Sequence, residues 1–118
     1  MGGTPVTARP DRAAPLFWLL FAGGGSVSAM LLPVLVFITG VAVPAGWISG
    51  DALMELLRNP LTRVIGVAVV FLFLFHWGHR FRYALVDLGF PRLGGHGWLF
   101  YGIAGLGTLL AGLGALRL

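Results

Sequence analysis

Three long apolar stretches constrain this chain more than any other feature of its sequence. Residues 16–50, 64–79 and 93–116 contain no Asp, Glu, Lys or Arg. A helix that crosses a lipid bilayer needs about 20 consecutive, predominantly apolar residues. The pattern therefore predicts three membrane-spanning helices, which we place at about residues 16–43, 60–88 and 97–116.

The composition agrees with a membrane protein. The chain has 118 residues, of which 58% are hydrophobic and only 10% are charged, which is too apolar for a small soluble domain. We therefore expect an all-α integral membrane fold. The absence of cysteine excludes disulfides and thiolate chemistry on this chain. All eight basic residues are arginines scattered at predicted helix ends rather than clustered on one face, so nucleic-acid binding is not expected.

The first predicted span is unusually long. Residues 1–14 form a short polar tail, and residues 15–118 form a single membrane domain. The first apolar run is too long for a cleaved signal peptide, so we expect it to remain as a span. As a helix it would be about 42 Å long against a hydrocarbon core of about 30 Å, which requires it to tilt, kink or protrude. Pro33 is the expected kink position.

The second span has local start and stop signals. Asn59 followed by Pro60 predicts an N-cap with proline in the first helical turn, and Gly89 followed by Pro91 predicts the end. Between the first two spans, residues 51–58 combine charged and apolar side chains. This pattern predicts a short helix on the outer membrane interface, with a plain loop as the alternative.

Small residues predict where the helices pack. Residues 23–29 are mostly Gly, Ser and Ala, which allows another backbone to come close. In the third span, Gly107, Ala111 and Ala115 share one helical face at the spacing typical of small-residue packing. Both segments are expected to contact neighbouring helices.

The distribution of arginine predicts the orientation. With three spans, the N-terminus and the 80–97 loop share one side, and the 44–59 loop and the C-terminus share the other. The first side carries more arginine, so the positive-inside rule places the N-terminus in the cytoplasm. The arginines on the first side are Arg9, Arg12, Arg80, Arg82 and Arg92, and those on the second are Arg58, Arg63 and Arg117.

One group of polar residues interrupts the second span near its cytoplasmic end. His76, His79, Arg80 and Tyr83 follow each other at i, i+3, i+4 and i+7, which places them on one side of a helix, and we call them the polar stripe. The simplest interpretation is an arginine and histidines that reach lipid head groups.

Three functional interpretations of the polar stripe remain open beside the simple one. A haem site would use a stripe histidine but needs a second histidine from another helix. A quinone site suits the stripe better, since arginine, histidine and tryptophan donors can hydrogen-bond carbonyl oxygens and stabilise negative charge. A proton-coupled transporter is disfavoured, because all four acidic residues lie at or outside the span ends.

An ordered set of short segments resembles a known family. The chain from residue 15 onward is similar to the hydrophobic membrane anchor of bacterial fumarate reductase, a quinol:fumarate reductase, that is known as its D subunit. The segments that carry the resemblance are PLFWLLFAGGG at 15–25, SA at 28–29 before Pro33, PAG at 44–46, GDAL at 50–53, HR at 79–80, DL at 87–88 and WLFYG at 98–102.

The resemblance implies a membrane anchor that does no catalysis alone. Such an anchor packs with a second anchor, the C subunit, into a helical bundle in the bacterial inner membrane. The pair holds the iron-sulfur protein and the flavoprotein, which are the B and A subunits, at the cytoplasmic face. These two partners carry the iron-sulfur clusters and the FAD. Menaquinol is oxidised near that face, no haem is expected, and the general base is expected from the second anchor.

The family positions near the quinone correspond to Trp18, His79 and Arg80, and we include Tyr83 as a fourth quinone-binding residue. Two positions depart from the family pattern. Ala22 replaces a glycine, and Tyr83 replaces a histidine with a phenol that donates a hydrogen bond but is a poor proton carrier near neutral pH.

Three rivals to this assignment stay open. They are a haem-containing succinate dehydrogenase anchor, a purely structural anchor whose quinone pocket lies entirely on the second anchor, and an unrelated small structural or transport membrane protein.

Overall fold

A computed structural model of the protein describes residues 12–118. Within this range the chain consists of helices joined by short turns and contains no strand, which confirms the predicted all-α fold. Most of the predicted N-terminal tail, residues 1–14, lies outside the described residues. Three helical segments are long and apolar enough to cross a membrane: Ala14–Ala42, Pro60–Asp87 and Gly97–Leu116.

The first span combines two kinds of helix. Helix α1, Ala14–Phe37, continues through Pro33 and is followed directly by a π-helical turn, Ile38–Ala42. In this turn the Val43 amide donates to the Ile38 carbonyl oxygen at 2.9 Å, a step of five residues. The chain then turns at Gly46, whose φ of 76° suits glycine.

A short helix follows before the second span. Helix α2, Gly50–Arg58, begins where the Ser49 hydroxyl accepts a hydrogen bond from the Ala52 amide at 3.1 Å. This confirms the short helix predicted from residues 51–58 and removes the loop alternative.

The second span, helix α3, covers Pro60–Asp87. The Asn59 side chain accepts a hydrogen bond from the Leu61 amide at 2.9 Å, so the predicted N-cap is confirmed. At the other end, Gly89 has a φ of 91°, in the left-handed region, and the helix has already ended.

Two further helices complete the chain. A single turn, helix α4 (Pro91–Gly95), leads into helix α5 (Gly97–Leu116). Helix α5 runs antiparallel to α3, since Gly78 approaches Phe100 while Val67 and Ala115 line the same groove at the other end.

Helix α3 is the centre of the molecule, because α1 and α5 both pack against it. The α1 crossing is tight: a Cβ atom on Gly24 would lie 2.6 Å from the Leu72 carbonyl oxygen. Gly107 of α5 lies against the side chain of Leu74, where a Cβ atom would lie 2.6 Å from one of its methyl groups. Both predicted small-residue segments therefore contain residues that pack on α3.

The buried core of the single chain is small. Among residues 12–118 the buried apolar side chains are Ala42, Phe75, Phe100 and Ala104, whereas most of the large apolar side chains are exposed. A chain with this surface has apolar faces that require lipid or other helices around them.

Candidate functional site

The candidate site lies at the membrane end where the start of α1, the last third of α3 and the start of α5 meet. A cavity of about 450 Å³ opens there between the three helices, and we call it the inter-helix cavity. Three of the four predicted quinone-binding residues line it: Trp18, His79 and Tyr83. The remaining lining residues are Ala14, Phe17, Phe21, Arg82 and Tyr101.

His79 is held in this cavity by contacts with two neighbouring helices. Its Nδ1 atom lies 2.8 Å from the hydroxyl of Tyr101 on α5, within hydrogen-bond distance. The ring of Phe21 lies against the imidazole, with ring centroids 4.7 Å apart. Because Nδ1 is used by Tyr101, Nε2 is the nitrogen that remains for a ligand.

Arg82 also lines the cavity and was not predicted as a site residue, although it contributes to the predicted orientation. Its Nε donates to the carbonyl oxygen of Gly94 at 2.7 Å, which joins α3 to α4. Its guanidinium carbon lies 5.3 Å from the ring centre of Tyr83 and 6.0 Å from that of Tyr101. The signal was available, since residues 79, 82 and 83 fall on one helical face.

Tyr101 was likewise not predicted as a site residue. In the sequence it stands out only as part of the WLFYG segment, residues 98–102. No local signal in α5 connects this tyrosine to His79, because the two residues meet only when α5 packs antiparallel on α3.

Arg80 lies on a different side of α3 from the inter-helix cavity. It lines a larger groove of about 750 Å³ on the outer surface of α1 and α3, which we call the outer groove. The polar residues of this groove also include Ser28, His76 and Asp87. Tyr83 lines both the outer groove and the inter-helix cavity, so it stands between them.

The polar stripe is thus divided by the fold. His79 faces the inter-helix cavity, Arg80 and His76 line the outer groove, and Tyr83 contributes to both. Adjacent residues on an α-helix point about 100° apart, which explains the separation of His79 from Arg80.

His76 has a structural contact of its own. Its Nδ1 donates to the carbonyl oxygen of Phe21 at 3.0 Å, and its ring stacks on that of Phe21 at 4.8 Å. Phe21 therefore lies between two imidazoles, those of His76 and His79. These contacts hold α1 against α3 beside the site.

Several hydrogen-bond donors around the site have no partner among the residues that the structure describes. Within residues 12–118, no hydrogen bond links the Trp18 indole, the Arg80 guanidinium or the Tyr83 hydroxyl to another residue. These groups are free to bind an acceptor such as a carbonyl or hydroxyl oxygen of a ligand. The described residues hold no cluster of three or more His, Asp or Glu side chains placed to bind a metal ion.

Comparison with known proteins decides the family. Residues 9–116 match the family model that describes the D subunit of fumarate reductase. The chain belongs to this family. A Mycobacterium tuberculosis protein that is named as this D subunit is 41% identical over 120 residues, which cover 92% of this chain and 94% of the relative. A Haemophilus ducreyi protein of the same name is 34% identical over 102 residues, which cover 86% and 89%.

As a member of this family, the chain is a membrane anchor of a fumarate reductase complex. The membership confirms the resemblance seen in the sequence. It also explains the exposed apolar faces, because an anchor of this kind occurs together with other subunits and within a bilayer.

Proposed function

We propose that this anchor forms one wall of a menaquinol-binding site, at the end of the bundle where the inter-helix cavity and the outer groove meet. The observation that supports the proposal is that Tyr83 lines both spaces. A ligand that lies over Tyr83 has His79 and Trp18 on one side and Arg80 on the other.

The wall is open and needs a second protein surface to complete the site. Trp18 is 71% exposed and Tyr83 is 50% exposed, so a ligand held by them alone would stay half in the open. Pockets that hold small molecules bury most of the ligand surface. We assign the missing wall to the second anchor of the complex.

The residues fit a quinol by the chemistry of their donors. When bound, menaquinol supplies the electrons that reduce fumarate. Arg80 offers a fixed positive charge and a fork of N–H donors that stabilise negative charge on a ligand oxygen. Nε2 of His79 and the Trp18 indole N–H can fix the orientation of a ligand, and Tyr83 can donate or accept a hydrogen bond.

The proton acceptor is proposed to lie on the second anchor, with one alternative on this chain. Asp87 lines the outer groove together with Arg80, so one carboxylate of this chain shares the space that a ligand would reach. A carboxylate next to a ligand hydroxyl can act as a general base.

The rest of the complex follows from the same proposal. The iron-sulfur protein and the flavoprotein would dock at the face that carries the N-terminus of α1 and the α3–α5 connection, which we assign to the cytoplasmic side of the bacterial inner membrane. FAD and iron-sulfur clusters would reside on these partners, haem would be absent, and the anchor would do no catalysis alone.

The proposal is tested by gentle purification of the tagged anchor from its native membrane. We expect three co-purifying partners, flavin and iron-sulfur absorbance, and menaquinol-driven fumarate reduction. A Soret band would instead indicate a haem-containing succinate dehydrogenase anchor. A colourless chain without partners would contradict the proposal.

A further inference from the structure

The opposite end of the bundle contains an arginine whose polar group is incompletely satisfied. Arg63 lies in the first turn of α3, and its Nε atom is buried without a hydrogen-bond partner among residues 12–118. A buried donor without an acceptor is costly, and a charged one more so. Residues 12–118 supply no acceptor for Nε, and because this atom is enclosed, an acceptor from outside the chain would reach the charge through the terminal nitrogens of the guanidinium.

Two apolar grooves begin at this arginine and lie on either side of the seam between α3 and α5. One groove, of about 410 Å³, is lined by Gly66 and Val70 of α3 and by Ala111 and Gly114 of α5. The other, of about 270 Å³, is lined by residues 64, 112 and 116. Arg63, Val67 and Ala115 line both grooves and form the ridge between them.

The depth of Arg63 in the membrane indicates which chemical group can pair with its positive charge. Arg63 follows the helix start at Pro60 by three residues, which is about 5 Å along the axis, so it lies near the head-group level. A lipid phosphate occupies this level already, whereas a carboxylate from a partner helix would have to be placed at the edge of the hydrocarbon. An anionic head group therefore complements this charge best.

We propose that one anionic, two-chain phospholipid binds here, with its phosphate on Arg63 and one acyl chain in each groove. The pair of grooves meeting at one charged residue matches a ligand with one head and two tails. The lipid would hold α3 and α5 together at the end of the bundle opposite the quinol wall.

The experiment uses the purified complex in detergent, titrated with phosphatidylglycerol and followed by native mass spectrometry. We expect Arg63→Gln to weaken the tightest phosphatidylglycerol binding by about tenfold, because a charge-assisted hydrogen bond is lost. Arg58→Gln is the matched control, since Arg58 lies at the same membrane end but lines neither groove. This control should bind phosphatidylglycerol like the unmodified complex.

A second variant tests the grooves without touching the charge. A Cβ on Gly66 would meet open space, so Gly66→Leu should fill the larger groove without disturbing the helices and should also weaken binding. Gly105→Leu, equally free of neighbours but outside both grooves, should have no effect.

Two results would overturn the lipid site. The first is equal affinity of the unmodified complex for phosphatidylglycerol and for the neutral lipid phosphatidylcholine. The second is loss of a partner protein from the Arg63→Gln complex with unchanged lipid affinity, which would assign Arg63 to an interface between subunits instead.

Discussion

The Tyr101 hydroxyl and Nδ1 of His79 are 2.8 Å apart, and this contact links α5 to α3 at the wall of the inter-helix cavity. The ring of Tyr101 also stacks on Phe75, with centroids 5.4 Å apart. The tyrosine is thus held by its ring, and its hydroxyl fixes the orientation of the histidine. Such a partner on one ring nitrogen decides which nitrogen faces a ligand.

Tyr101→Phe should weaken menaquinol binding while leaving the bundle intact. The phenyl ring keeps the stacking on Phe75, but His79 loses the partner that orients it, and a neutral hydrogen bond contributes about 0.5–1.5 kcal/mol. We expect KM for menaquinol to rise about twofold to twelvefold, the factor that this energy corresponds to. Steady-state assays with a quinol analogue measure this, and an unchanged KM would show that the contact does not serve the site.

Arg80→Leu should impair menaquinol-driven fumarate reduction by about tenfold to a hundredfold, because it removes a charged donor from the quinol wall. Reduction of fumarate by a dye that gives electrons directly to the flavoprotein and the iron-sulfur protein should stay normal. Arg117→Leu is the control, because Arg117 follows the end of α5 at the opposite membrane end and lines neither the outer groove nor the inter-helix cavity. Normal quinol activity in Arg80→Leu would remove Arg80 from the site.

Replacing Arg82 should lower the thermal stability of the purified complex, whereas replacing Arg80 should not. Arg82→Gln loses the bond from Nε to the Gly94 carbonyl and the contacts with two tyrosine rings, whereas Arg80 makes no such contacts within the described chain. We expect the thermal midpoint of the purified complex to fall by about 2–4 °C for each kcal/mol lost in Arg82→Gln. Arg80→Gln should leave it unchanged, and an equal shift for both variants would contradict the assigned contacts.

Alanine substitutions at Gly24 and at the neighbouring Gly23 together test the close approach of α1 to α3. A Cβ on Gly24 would lie 2.6 Å from the Leu72 carbonyl oxygen and 2.9 Å from Cβ of His76, whereas a Cβ on Gly23 meets nothing within 4 Å. Gly24→Ala should therefore push α1 away at a cost of about 1–3 kcal/mol. Gly23→Ala should be neutral or slightly stabilising, because alanine favours helix. The measurement is the thermal midpoint of the assembled complex that contains each variant. Equal midpoints would show that α1 does not approach α3 most closely at Gly24.

Much of the fold was predictable because its causes are local in sequence. The three spans follow from apolar length, and the start of α3 follows from Asn59 and Pro60, whose side chains act on the adjacent turn. The end of α3 follows from Gly89 in the same way. Such signals need no knowledge of what the helix packs against.

The site was only partly predictable, as the separation of His79 from Arg80 and the position of Tyr101 show. The periodicity of α3 placed His79 and Arg80 on one polar side of the helix, but the fold directs them to two different spaces on either side of Tyr83. Tyr101 could not be identified at all, since its role depends on an antiparallel partner helix.

The sequence by itself determined a membrane protein with three helical spans, because hydrophobic length and caps act within a few residues of one another. Only the tertiary structure decided which polar side chains meet, because that depends on the rotation and crossing point of whole helices. The close approach at Gly24 and the register of α5 on α3 set both. They bring His79 to Tyr101 and leave Arg80 facing outward.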